Sequence, residues 1–122
     1  MHAITKDPTE VKFIHHKFED LHHEVMIERE LGDFLRFNQY EGVQLPIAGS
    51  IKVRYRSYYE DVTFAEVDLQ LHPTDSRKAY MNLDSASIEV NRSHSIFFDC
   101  VGRDKISGLK VLLFYGVFQL KA

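Results

Sequence analysis

The sequence contains one cysteine, Cys100, no tryptophan and only three prolines. A single thiol excludes an intramolecular disulfide and points to a reducing compartment. No run approaches 18 consecutive apolar residues, so no transmembrane helix is expected. Residues 1–10 lack the apolar core of a signal peptide, and Asp7, Glu10, Glu19 and Asp20 oppose a transit-peptide reading. A cytoplasmic protein with no membrane partner is the expectation. Neither sign of charge dominates either, with 15 Lys+Arg against 18 Asp+Glu and a formal net charge of -3. Without a basic excess the chain lacks the general electrostatic footprint of a nucleic-acid binder. Gly-rich phosphate loops, paired-Cys motifs and a Gly-x-Ser-x-Gly elbow are absent as well.

What is present suits one globular domain over residues 1–122, with 44% hydrophobic and 27% charged residues. Two hydrophobic periods divide it. Asp7-Pro8-Thr9-Glu10 has the form of a helix start, with an Asp cap, Pro at the first position and Glu at the third. Val11, Ile14, Phe18, Leu21 and Val25 then follow at alternating spacings of three and four, a heptad seam. With Gly32 as the residue after the last turn, the spacing predicts a helix over 8–31. A competing reading ends it at His23 and folds 24–31 and 34–40 into a hairpin around Gly32-Asp33.

From residue 40 the period becomes two. Ile51, Val53 and Tyr55 alternate with Lys52, Arg54 and Arg56, and Ala65, Val67 and Leu69 alternate with Glu66, Asp68 and Gln70, which predicts an antiparallel hairpin. Segments 79–84, 87–90, 95–101 and 109–120 read as further strands. The last is apolar on both faces, with Val111, Leu113, Tyr115 and Val117 on one and Leu112, Phe114, Phe118 and Leu120 on the other. Such a strand is expected at a sheet centre or an interface. The expected class is α+β and β-rich. One N-terminal helix packs on or beside an antiparallel sheet of about six or seven strands over 40–122, barrel- or sandwich-like.

Three constellations carry candidate chemistry. On a helix, His15, Glu19 and His22 would share one strip, and imidazole with carboxylate suits zinc or copper. One ion cannot take both histidines across about 10.5 Å of helix axis, so a solvated polar flank is the favoured account and no cofactor is expected. Protonation of His15 and His22 beside a helix–helix seam would weaken that seam near pH 6. The second constellation is Lys52, Arg54, Arg56 and Tyr58 along one strand face, cations interleaved with an aromatic ring in the manner of a single-strand binding platform. Any register that joins the apolar faces also sets Arg54 opposite Glu66 or Asp68, so cross-strand ion pairing competes with ligand binding. The third is the seam Val11, Ile14, Phe18, Leu21 and Val25, an interface for another protein or a second copy.

No nucleophile–base–orienter set is legible, and Cys100 lies in an apolar strand where a buried, inert thiol is the ordinary outcome. The expectation is therefore a non-enzymatic protein-binding or assembly module that self-associates: an adaptor, an inhibitor or immunity-type protein, or a viral or phage structural subunit. The alternative is a module that binds single-stranded nucleic acid or a small anion through the basic strand face.

Overall fold

In the computed structural model, residues 8–34, 37–40, 43–46, 51–57, 63–90, 93–104 and 107–122 are described. The N-terminal segment is not a helix. It forms two strands, β1 (Thr9–His16) and β2 (Leu21–Met26), joined by a turn in which Glu19 N donates to the His16 carbonyl at 3.2 Å. The heptad misleads because the same residues also obey a period of two. Val11 and Phe13 lie half-buried on one face of β1, and Leu21 and Val25 are buried in β2, all at odd positions. Ile14 and Phe18, at even positions, are 67% and 66% exposed. β-Branched and aromatic residues favour the pleated surface once a partner strand is present. The seam is thus split between two strands of different sheets, and the strip His15, Glu19, His22 does not exist.

The chain continues through a 3-10 turn (Leu31–Phe34) to β3 (Phe37–Tyr40) and β4 (Val43–Pro46), a two-stranded antiparallel pair. Then come β5 (Lys52–Arg56), β6 (Ala65–Asp68), β7 (Gln70–Leu71), β8 (Lys78–Leu83), a short helix α1 (Ser85–Glu89), β9 (Ser95–Arg103) and β10 (Lys110–Lys121). The segment expected as a strand at 87–90 overlaps α1 instead. Asp84 caps it, accepting from Ser87 N at 2.7 Å, a local bond that competes with extended backbone.

A five-stranded sheet has the order β1-β10-β9-β5-β6, and a three-stranded sheet the order β2-β8-β7. Among the described residues all pairs are antiparallel except β1 with β10, which run parallel from Thr9↔Phe114 to His16↔Lys121. The chain passes between sheets at the turn after β1 and again at Leu69, whose N donates to the Ile51 carbonyl at 3.0 Å. β1 and β2 each stand at the edge of their own sheet, so the strands do not close into a barrel.

One core lies between the sheets. Phe98, Phe114 and Phe118 are buried at its centre, with ring centroids 6.0–6.1 Å apart where they meet, and Phe13 stacks on Phe118 at 5.1 Å. Each such side chain contributes roughly 1.5–3 kcal/mol by leaving water. The Tyr55 hydroxyl crosses the core to donate to the Asn82 carbonyl at 3.1 Å. Burial pushes its ionisation well above the ordinary tyrosine range.

β10 carries an irregularity that decides what its outer face shows. Leu112 pairs with Val101 and Phe114 with Cys100, which leaves Leu113 as an extra residue. Such a bulge reverses the facing of all residues beyond it. Val111 and Leu113 are buried before the shift, Phe114 and Phe118 after it. Tyr115, expected on the face of Val111 and Leu113, is turned to the opposite side with Leu112.

Candidate anion-binding cleft on the outer sheet face

The outer face of the five-stranded sheet is built from residues that alternate with the core. On β5, Val53 and Tyr55 point inward, which sends Lys52, Arg54 and Arg56 outward. The antiparallel register places Arg54 between Glu66 on β6 and Asp99 on β9. Asp99 takes the cation. Arg54 Nε donates to Asp99 Oδ1 at 2.7 Å, and Arg56 Nη2 donates to Asp99 Oδ2 at 2.6 Å. Asp99 is only 8% exposed, which removes it from solvent and strengthens both charge-assisted bonds. Lys52 instead pairs with Asp68, and that bond holds the Lys52 ammonium above its ordinary range.

One carboxylate therefore serves two guanidinium groups, so the Arg54–Arg56–Asp99 trio carries one net positive charge, with Glu66 beside Arg54 on β6. Each arginine gives Asp99 a single nitrogen and retains other N–H donors. Among the described residues Arg56 Nε has no hydrogen-bond partner, and it is buried. An unpaired donor of this kind is costly and invites an acceptor.

The cluster forms one end of a cleft of about 540 Å³, whose lining includes Phe97, Val101, Lys110, Leu112 and Tyr115 beside the arginines. That volume lies in the range of ligand sites, and its composition is that of many, apolar walls with a few convergent polar groups. Tyr115 stands opposite Asp99 on β10 and is 38% exposed. Gly116 lines the same cleft.

Of the residues expected at a basic face, Arg54 and Arg56 meet here, Lys52 is engaged by Asp68, and Tyr58 lies outside the described residues. Asp99, Lys110, Phe97 and Tyr115 were not anticipated. A lone acid inside the apolar run Ile96 to Val101 was the legible sign, because a buried carboxylate requires a cationic partner. The facing of Tyr115 had no sign, since it depends on the bulge.

The remaining candidates scatter. His15 Nε2 donates to the Glu19 carbonyl at 2.8 Å, and His22, on the outer face of the other sheet, donates from Nδ1 to Asn82 Oδ1 at 2.6 Å and stacks on Tyr80. Among the described residues no group of three His, Cys, Asp or Glu side chains is placed to hold a metal ion. No described helix is long and apolar enough to cross a membrane. Comparison with known proteins adds no assignment: no protein-family model matches the chain, and no curated protein matches its sequence.

Proposed function

We propose that this chain is a non-enzymatic binding module whose ligand presents an anionic group to Arg54 and Arg56 on the outer face of the five-stranded sheet. The observation that carries the reading is the sharing of Asp99 between two arginines at the end of an open cleft. The cleft's ionisable groups are Arg54, Arg56, Asp99, Lys110 and Tyr115, a set that attracts and orients anions and contains no nucleophile paired with a base.

Titration calorimetry with inorganic pyrophosphate and with citrate tests this. Binding to the native chain, abolished in both Arg54→Gln and Arg56→Gln while their melting temperatures stay within a few degrees, supports it. Absence of binding, or binding that survives both substitutions, defeats it.

A second reading, recognition of another protein or of a second copy, draws on the exposed Ile14 and Leu112, which share the outer face with Tyr115. Light scattering on a sizing column separates the two. A stable oligomer disrupted by Ile14→Ser and Leu112→Ser favours assembly, whereas a monomer at all concentrations favours ligand binding.

A further inference from the structure

The register maps the cleft's chemistry onto a grid. Arg54, Asp99 and Tyr115 form one row across β5, β9 and β10. Lys52, Val101 and Leu112 form the next, and Arg103 with Lys110 the one beyond. Strands lie about 4.8 Å apart and rise about 3.4 Å per residue, so Lys110 sits roughly 14 Å along the sheet and roughly 10 Å across it from Arg54. Both ends nevertheless line one cleft. With both arginines held on Asp99, a single phosphate or carboxylate seated on them lies about four residues' length along the sheet from the row of Lys110. Tyr115 shares the row of Arg54 and the strand of Lys110, and the row between the cationic ends holds Val101 and Leu112. The cleft thus runs from a cationic row that includes the ring, over an apolar floor, to the second cation.

From this order, and resting on the anion-binding reading above, we infer that the ligand is a single-stranded nucleic acid. It crosses the cleft with phosphates at the Arg54–Arg56 pair and at Lys110 and a base laid against Tyr115. A polymer with a phosphate at every nucleotide reaches both cationic ends, and a flat base meets an aromatic side chain without any demand on its sequence. A compact anion makes no use of the Tyr115 ring face. A duplex buries its base faces in its own stack and offers none to Tyr115. Of the acids on this face, Asp68 is held by Lys52, Glu10 by Lys12 at 3.5 Å and Asp99 by the arginines, while Glu66 stands on β6, on the side of Arg54 away from the path. The overall charge of -3 confines attraction to this face rather than spreading it over the molecule.

The test is fluorescence anisotropy with fluorescein-labelled oligo-dT and oligo-U of ten nucleotides, at 50 and 200 mM salt, beside a labelled oligo-Glu peptide. The expected result is binding of at least one oligonucleotide, weakening with salt, with the DNA and RNA probes reporting which sugar is preferred. Tyr115→Ala should weaken it about tenfold, and Tyr115→Phe should restore it. Lys110→Gln should lower the salt slope by about one. Should Tyr115→Ala fold poorly, Tyr115→Leu fills the volume without a ring and should still lose affinity. If pyrophosphate binds through Arg54 and Arg56 but neither oligonucleotide does, the nucleic-acid inference falls and the anion module stands. Oligo-Glu binding as tightly as the oligonucleotides, with Tyr115→Leu unaffected, also overturns it in favour of an acidic peptide. Failure of every probe removes both readings.

Discussion

The Cβ that Gly116 lacks would fall 1.7 Å from the carbonyl oxygen of Val11. β1 approaches β10 so closely at this point that no side chain fits, and the obstacle is backbone rather than a movable side-chain tip. Gly116→Ala should therefore lift β1 from the sheet. The expected cost is several kcal/mol, within the range of core overpacking and lost strand pairing. Chemical denaturation measures it, and hydrogen exchange should show protection lost first in residues 9–16.

Asp99 makes opposite predictions for stability and for binding. Asp99→Asn removes the charge that Arg54 and Arg56 share and leaves two half-buried cations facing each other. The fold should lose about 1–3 kcal/mol, less than for a fully buried pair because the arginines remain a quarter or more exposed. The freed guanidinium groups should at the same time bind pyrophosphate more tightly. A variant that loses stability and gains no affinity would mean that Asp99 orders the site rather than competing within it.

The Cys100 thiol is fully buried, and burial pushes its pKa far up, with the neighbouring Asp99 charge adding to the shift. The thiolate is the reactive form, so native protein should be alkylated far more slowly than denatured protein. Its rate should follow global unfolding and rise with denaturant. Rapid labelling of the native chain at neutral pH would show that the β9–β10 layer opens on its own.

His23 gives the fold a mild acid sensitivity. Its ring stacks on Phe13 with centroids 3.7 Å apart, and burial, then the nearby His15, lowers its pKa below 6.5, against a smaller opposing pull from Glu24. The folded state therefore prefers neutral His23, and the unfolded chain takes up the proton first. Stability from this source is complete above about pH 6.5 and is lost as pH falls through the lower folded value. The ring is partly open to solvent, so the loss should stay below about 1 kcal/mol. Melting temperatures from pH 7.5 to 5 should show it, and His23→Gln should flatten that part of the curve. Asp84 and Glu30 are lowered by their hydrogen bonds and act in a separate window, below about pH 4.5.

The cap of α1 offers a local check. Asp84→Ala removes the acceptor for Ser87 N and should lower stability, while Asp84→Asn should retain most of it. Urea denaturation of the two variants distinguishes them.

The β half of the chain was largely legible. Lys52 to Arg56 alternates so regularly that the hairpin with residues 65–68 follows from pattern, whereas the ion pair expected for Arg54 across it goes to Asp99 and the one that forms there is Lys52 with Asp68. The N-terminal strands were not, because Val11, Leu21 and Val25 satisfy both a heptad and a strand, and the partners that decide lie far off, at residues 114–121 for β1 and 78–83 for β2. The site was half legible for the same reason. Arg54 and Arg56 mark a basic face, but Asp99 joins them from 45 and 43 residues away. The inserted Leu113 then turns Tyr115 toward them, a change of facing that no period in the sequence records.

The parallel pairing of β1 with β10 also sets the order in which the molecule can be made. Thr9 meets Phe114 only after about a hundred intervening residues have left the ribosome. Until then Val11 and Phe13 have no sheet to join, and the open edge of β1 is free to pair with a neighbouring chain. Closing a contact of that span carries the loop entropy that slows β-rich folding, so the sheet is completed late in synthesis. Interrupted translation before residue 110 would release chains whose first strand is a ready template for aggregation.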